Sequence, residues 1–345
     1  GDYILSTLTI ALDIMGGDHG PPVILPAAVK AIQLHAHIHF ILCGDENVIQ
    51  SGILCLTDSE RKRVTVVHCS QVVEMGEQPT SALRNKKDSS MRRAIELVES
   101  GEADACVSAG NTGALLTLSF YLLKTLPGID RPALINMMPT TGHHNVFLLD
   151  LGANVNCTPE ILFQYGVMGS VLAQSVSGIA SPRVALLNVG EEDIKGNAQV
   201  KSADQLFKDA PGINYIGYVE GDDIFTDHAD VVVTDGFTGN VALKSSEGLA
   251  KLVINEVKRQ SQKNFYTRLL AKIAFPLLKS IYNSVNPDQY NGASLIGLRG
   301  IVIKSHGNAQ KDAFYYAIVQ AIKEAKMHLP EKIKTKIETV LLEQL

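Results

Sequence analysis

The chain has no tryptophan, only five cysteines in 345 residues, a charged fraction of 19%, and no uninterrupted apolar run long enough to cross a bilayer. Each shortage excludes something. Cys43, Cys55, Cys69, Cys106 and Cys157 are odd in number, widely spaced, and form neither a CxxC pair nor a set with HxxxH, which favours reduced thiols over disulfides or a zinc site. Two uncharged windows, 105–123 and 161–182, reach the roughly 18 residues of a membrane span. Asn111, Gln164, Gln174 and many Ser, Thr and Gly residues interrupt them, so they read as buried helices packed closely on a sheet or on another subunit. The opening segment lacks a basic n-region, and a secretory signal is not expected. With Lys+Arg 31 against Asp+Glu 36, the net charge of −5 argues against a nucleic-acid binder, whose affinity comes from clustered Lys and Arg. No tandem repeat, low-complexity tract or Pro/Gly/Ser linker divides the chain.

What is present is an alternation. Short β-rich runs at 9–15, 38–44, 64–68, 105–110, 146–152, 183–190, 215–220, 230–236 and 301–307 alternate with helix-length amphipathic segments, and several end in glycine or a small polar cluster. Continuous apolar strands of this kind are buried on both faces, which predicts an α/β fold with a mainly parallel sheet. Ligands then bind beyond the carboxyl ends of the strands. One stretch differs: residues 257–287 hold six basic residues and no acidic one, leaving 25 basic against 36 acidic, or −11, for the rest. Phe265, Leu269, Ile273, Leu277 and Ile281 recur every four positions there, widened by Leu270, Ala274 and Leu278. The pattern predicts an amphipathic helix or helical hairpin broken near Pro276.

The strand ends carry the candidate chemistry. In MGGDHGPP (15–22), Gly16 and Gly17 allow close backbone approach, Asp18 and His19 are ionisable, and backbone N–H groups at such a turn can receive an anion; a capped strand-to-helix turn explains the same residues. SAGNTGA (108–114) offers Ser108, Asn111 and Thr112 beside two glycines, suited to phosphate or carbonyl oxygen or, alternatively, to capping a buried helix; it is neither a Walker loop nor a dinucleotide loop. LLNVGEEDIKGN (186–197) places Lys195 beside Gly196 and Asn197, where a cation could meet an anionic substrate or an oxyanion, although loop lysines are usually just solvated. Asp222, Asp223, Asp235, Thr238 and Asn240 surround two turns; paired acids invite a metal, but spacing cannot show convergence of oxygen ligands, and no metal is assigned. His306 closes the 291–307 segment and is suited to titration near neutrality. Arg84, Lys86, Lys87, Arg92 and Arg93 gather around one Asp88, as a solvated helix start or as a dock for an acidic partner.

These motifs in this order resemble the phosphate acyltransferase (PlsX) family, which moves the acyl group of acyl-acyl carrier protein to inorganic phosphate. The resemblance rests on ALDIMGGDHGP, ALRNKKDSSM, SAGNTGAL, RPAL, LDLGANV, LNVGEEDIKGN, EGDDIF, DGFTGNVALKSSEG and NGASLIGLRGIVIKSHG, over about residues 9–330. Asn156 departs from the pattern, since relatives often carry Asp there. The resemblance implies a three-layer α/β/α fold like phosphotransacetylases and isocitrate/isopropylmalate dehydrogenases, and no cofactor. It further implies a homodimer and a cytoplasmic, peripherally membrane-associated enzyme of phospholipid synthesis, whose product passes to a membrane glycerol-3-phosphate acyltransferase. On this reading residues 7–332 are one catalytic domain, and 333–345 a helical tail.

The expected chemistry is direct attack of phosphate on the thioester carbonyl. Catalytic roles fall to Lys195, as the essential cation, Asn240 and His306, with phosphate and oxyanion contacts from Gly16, Gly17, Asp18, His19, Ser108, Asn111, Thr112 and Asn197. The basic cluster at 84–93 would dock the acidic carrier, and Phe265, Leu269, Leu270, Ile273, Leu277 and Leu278 would touch the membrane, a dimer-interface helix pair being the alternative. Rival readings are an acyl-enzyme route through Ser108, Cys106 or Cys157, an acyl-CoA-dependent phosphotransacetylase, a dehydrogenase-like relative, and a non-catalytic docking scaffold.

Overall fold

The computed structural model describes residues 7–343. Among them, eleven strands form one sheet: β1 (Leu8–Asp13), β2 (Ile38–Gly44), β3 (Val64–His68), β4 (Ala105–Ser108), β5 (Ala133–Met138), β6 (Val146–Leu149), β7 (Val184–Leu187), β8 (Tyr215–Val219), β9 (Val231–Val233), β10 (Ala293–Ile296) and β11 (Ile301–Lys304). The helices are α1 (Pro21–Leu34), α2 (Glu46–Gly52), α3 (Asp58–Arg61), α4 (Pro79–Asn85), α5 (Ser90–Glu99), α6 (Thr112–Leu123), α7 (Pro159–Ser177), α8 (Ala198–Lys208), α9 (Gly236–Ser261), α10 (Phe265–Ile273), α11 (Phe275–Val285), α12 (Lys311–Lys326) and α13 (Leu329–Glu343). All nine expected strands are present, several ending up to three residues before their apolar run does, because the last residues leave the ladder to build the strand-end loops.

The two unanticipated strands decide the architecture. β5 (ALINMM) has a single β-branched residue and β10 (ASLI) is four residues long, so neither announces itself by propensity. The sheet order is β3-β2-β1-β4-β11-β10-β5-β6-β9-β7-β8. β10 runs antiparallel to β11 and to β5, and β5 antiparallel to β6; the other pairings are parallel. Three reversals separate β11 from β6, so the two parallel halves point in opposite directions. The carboxyl ends of β1, β4 and β11 lie at one edge, called edge A here, and those of β6, β7 and β9 at the other, edge B.

Helices cover both faces, completing the three layers. In the first half α1 and α12 pack Ile24, Ala28, Phe314 and Ile318 beneath β1 and β4, while α5 and α6 bring Ala94, Ile95, Leu115 and Leu118 to another core cluster. In the second half α7 lies directly on the sheet: a Cβ at Gly169 would stand 2.6 Å from Val231 Cγ1. The small residues of the 161–182 window therefore serve helix–sheet packing, as expected. The 105–123 window is instead two elements, β4 and α6, divided at the Ala109–Asn111 turn.

Two further stretches take their place in this frame. The supposed tail at 333–345 begins inside α13, whose Ile333, Ile337 and Val340 are buried in the same cluster as Tyr165 and Met168 of α7, so this helix is part of the core; residues 344 and 345 lie outside the described ones. The 257–287 element is a hairpin whose first residues still belong to α9. Its break falls at Ala274, and Pro276 sits in the first turn of α11, where its missing N–H forfeits no helical bond.

Candidate active site

Edge A is organised around a buried acid. Asp13, the last residue of β1, accepts a 2.7 Å hydrogen bond from Ser108 Oγ at the end of β4, and Gly110 N–H donates to that same hydroxyl at 3.0 Å. Burial pushes the Asp13 carboxyl up, and the Ser90 and Ser108 hydroxyls oppose the shift. Gly16 is required by close approach, since a Cβ there would stand 2.6 Å from Asp13 Oδ2 and 3.0 Å from Gly110 N; Gly17 has φ 93°. Asp18 N–H donates to Gly307 O at 2.8 Å, tying this turn to the end of β11. The side chains of Asp18, His19 and Thr112 are exposed on the rim, with His19 Nε2 3.1 Å from Gln310 Nε2.

The end of β11 supplies the ionisable groups. Ser305 N–H bonds to Ser108 O at 2.9 Å, and Asn291 holds both Ser305 Oγ and His306 N. His306 Nε2 lies 3.6 Å from Glu247 Oε1 on α9. Burial is the main cause that pulls His306 below the ordinary imidazole range, against the opposing pull of Glu247. Lys304 beside it is buried, and that burial, helped by Lys244, brings its ammonium down to about 8.

The structure thus brings Gly16, Gly17, Asp18, His19, Ser108, Asn111, Thr112 and His306 together, with two corrections. Asn111 is consumed: its Oδ1 caps α6 through Ala114 N–H, and its Nδ2 donates to Glu74 O and Glu77 O. Ser108 is likewise spent on Asp13. Sequence reasoning missed Asp13, Lys244, Glu247 and Lys304 as site residues. A signal for two of them existed, because Asn240, Lys244 and Glu247 follow at i, i+4 and i+7 and share one helix face.

Edge B is built differently. Asp150, just beyond β6, accepts from the N–H groups of Leu134, Gly152, Ala153 and Asn154 at 2.7–3.2 Å. The first turn of α9 packs on that loop so tightly that a Cβ at Gly236 would come within 2.5 Å of Asn154 O. Asn240 Nδ2 donates to Leu151 O at 3.1 Å, Asn197 caps α8 through Val200 N–H, and Asn188 Nδ2 bonds Lys195 O. Lys195 projects from an exposed loop beside Val189 and Ile194, which are 77% and 80% exposed. The expectation of one site holding Lys195, Asn197 and Asn240 with the glycine turns is therefore corrected within a single chain. Asp235 caps α9 at edge B and Glu247 reaches edge A twelve residues later, about 18 Å at 1.5 Å per residue.

The basic cluster also divides. Lys86 donates to Val72 O, and Arg92 and Arg93 pair with Glu96, whereas Arg84 and Lys87 are exposed. On the hairpin Phe265, Leu269, Leu270, Ile273 and Leu277 are exposed, but Leu278 is half-buried and turns inward. It lines an apolar cavity of ≈ 950 Å³ with Leu243, Ala250, Val253 and Val257 of α9 and Phe275 of α11; His306 and Glu247 stand at its foot.

Residues 8–332 match the family model described as fatty acid synthesis protein. Over 337 residues the chain is 58% identical to a phosphate acyltransferase from Pseudoalteromonas atlantica, covering 98% of this chain and 99% of that one. The chain belongs to the phosphate acyltransferase family. A second member, from Shewanella woodyi, is 51% identical over 339 residues, at 98% and 99% coverage. The fold extends beyond the family. EutD phosphotransacetylase from Staphylococcus aureus superposes with TM-score 0.61 at 18% identity, over 93% of this chain and 94% of that one, and a phosphotransacetylase from Streptococcus pyogenes with TM-score 0.63 at 15% identity, over 93% and 95%. Phosphate acyltransferases thus share the α/β/α architecture of phosphotransacetylases.

Proposed function

We propose that this phosphate acyltransferase takes a long-chain fatty acyl group from acyl-acyl carrier protein and passes it to inorganic phosphate, giving acyl phosphate for phospholipid synthesis. The observation that carries the choice of a long chain is the junction of a polar crown with an apolar groove. Edge A offers the Gly17 turn, Thr112 and a largely neutral His306, and the ≈ 950 Å³ cavity begins at that histidine and follows α9 toward the hairpin. Each methylene laid along it gains about 0.8 kcal/mol.

In the reaction a phosphate oxygen attacks the thioester carbon, forming the C–O bond. The tetrahedral intermediate collapses with C–S cleavage, and the thiolate, of ordinary pKa ~8.5, leaves without strong acid assistance. His306, neutral and held in place by Asn291 at its backbone, accepts the proton of the attacking phosphate. Direct attack is favoured over an acyl-enzyme. Cys106 is fully buried with its thiol raised, Cys157 is pushed up to about 11 by burial, and the Ser108 hydroxyl is bonded to a carboxylate with no histidine partner.

The opposed edges give the homodimer a reason: Lys195 and Asn240 act at edge A only if a second copy presents them. The carrier docks at Arg84 and Lys87. The hairpin rests on the cytoplasmic membrane face, where exposed apolar side chains and basic charge act together and deliver product toward the glycerol-3-phosphate acyltransferase. The decisive assay incubates the protein with long-chain acyl carrier protein, with and without phosphate, and follows free thiol and acyl phosphate. Phosphate-dependent release of both is expected; thiol release that ignores phosphate overturns the reading. For the membrane, a dimeric Leu269→Glu, Leu277→Glu variant should lose flotation with anionic vesicles, and unchanged binding would remove that assignment.

A further inference from the structure

Among the described residues Lys304 has no counter-ion. Its residue is 9% exposed, one of its three ammonium protons reaches the carbonyl of Ser305, and no carboxylate oxygen lies within 4 Å of it among the described residues. Lysine is almost never buried unless paired, because an unpaired cation away from water is costly. The surrounding charges increase the imbalance. Lys244, from α9, repels Lys304, and both lysines disfavour a proton on His306. The nearby acids do not answer this: Glu247 serves His306 and Lys244, Asp18 exerts only a weaker pull from the rim, and Asp13 is bonded to Ser108. What the crown of edge A lacks is an anion.

We propose that Lys304, with Lys244, holds a phosphoryl oxyanion at edge A, and that this oxyanion is the inorganic phosphate that attacks the thioester. The inference rests on the acyl-transfer reading for the identity of the ion, though not for its existence. The phosphodiester of a carrier's pantetheine arm shares the same tetrahedral oxygen geometry. It carries a single charge and arrives on a tether, whereas a buried ammonium reached between strand ends suits a small free ion of higher charge. Since Asp13 takes the backbone hydrogen bonds of Met15 and Gly16, it is the Gly17 N–H, at a φ that leaves the backbone bare, that completes the cradle. Lys304 thereby supplies a cation within one chain, beside the Lys195 that a second copy would present.

The test uses Lys304→Met, Lys304→Arg and Lys244→Met in the full chain, with folding checked by circular dichroism. Binding of inorganic phosphate is read without any acyl donor, by ³¹P line broadening, and KM values for phosphate and for acyl carrier protein are measured separately. Lys304→Met should weaken phosphate binding and raise the phosphate KM at least tenfold, with the carrier KM within twofold. Lys244→Met, on an exposed side chain that the fold does not need, should raise the phosphate KM severalfold. Unchanged phosphate binding in both Met variants overturns the proposal, as does a rise confined to the carrier KM, which would assign the cradle to the phosphodiester. If wild-type protein binds phosphate through Lys304 yet forms no acyl phosphate, the site stands and the acyl-transfer reading falls. A pH series adds a second readout. The groups facing the cradle are Lys244 and Glu247 from α9, Asp18 from the β1–α1 turn, His306, and Asp288 before β10. Since Lys304 loses its proton near 8, phosphate affinity should fall above about pH 8 in wild type, and Lys304→Arg should keep its affinity there. A wild-type affinity that holds flat to pH 10 overturns the role.

Discussion

Edges A and B begin from the same local grammar: an apolar strand, an acid at its end, then a glycine-bearing loop leading into a helix. Asp13 and Asp150 are both buried, and burial raises both carboxyls. Their partners differ. Asp150 receives four backbone N–H groups, so the acid is used up in shaping a loop on which α9 packs. Asp13 receives two hydroxyls as well as backbone hydrogen bonds from Met15 and Gly16, and at the same edge Lys304 faces Lys244 with no carboxylate oxygen within 4 Å of it among the described residues. A strand end whose polar groups satisfy one another is a joint; one that leaves like charges facing each other is where a ligand belongs.

The sharpest way to break this comparison is a pair of glycine substitutions. A Cβ at Gly239 would overlap the carbonyl oxygen of Asp150, backbone against backbone, so Gly239→Ala should yield little folded protein. Gly16→Ala presses chiefly on the Asp13 side chain and should leave a folded protein with at least tenfold lower turnover; a fully active, fully stable Gly239→Ala would contradict the account of edge B. Next in size is subunit complementation. If edge B of one copy serves edge A of another, His306→Ala and Lys195→Met should each lower turnover strongly, and randomly mixed subunits should recover about a quarter of wild-type sites, because half the dimers are mixed and each has one intact composite site. No recovery in verified mixed dimers would confine the reaction to one chain.

The pH dependence of turnover sharpens edge A further. Burial lowers the His306 pKa, so its neutral, proton-accepting form persists below the ordinary 6.5, and the acid limb of kcat should lie below pH 6.5. Glu247→Gln removes the larger of the two nearby charges that favour protonation, Asp288 being the other, and should move that limb lower still; a shift upward would show that another group titrates. The smallest effect concerns the carrier. Arg84→Glu with Lys87→Glu should raise the carrier KM roughly three- to tenfold at low salt and less at high salt, since exposed charges are screened. The same change in Arg92 would test nothing about docking, as that side chain is tied to Glu96 and Leu83 O.

Much of this molecule was legible in one dimension. Nine strands followed from short apolar runs, several of them ending in glycine, and the α7 window followed from small residues without charge. β5 and β10 were not legible, because ALINMM and ASLI lack the β-branched density that marks a strand, and their pairing comes from their neighbours across the sheet. Motif reading found both edges yet merged them, since spacing along a chain carries no strand direction. It also overvalued Asn111 and Ser108, whose side chains look available in a string of letters and are spoken for in three dimensions.

Sequence by itself determined the α/β class, the family, the strand-end loops and the basic apolar hairpin, all of which depend on local pattern and side-chain chemistry. Tertiary structure decided which loops meet. Two short antiparallel strands reverse half the sheet, and that reversal sends Lys195 to one edge and Lys304 to the other. The physical reason is that direction and burial arise only from pairing: a lysine is an ordinary cation in sequence, and becomes a demand for an anion once packing removes its water and leaves it without a carboxylate.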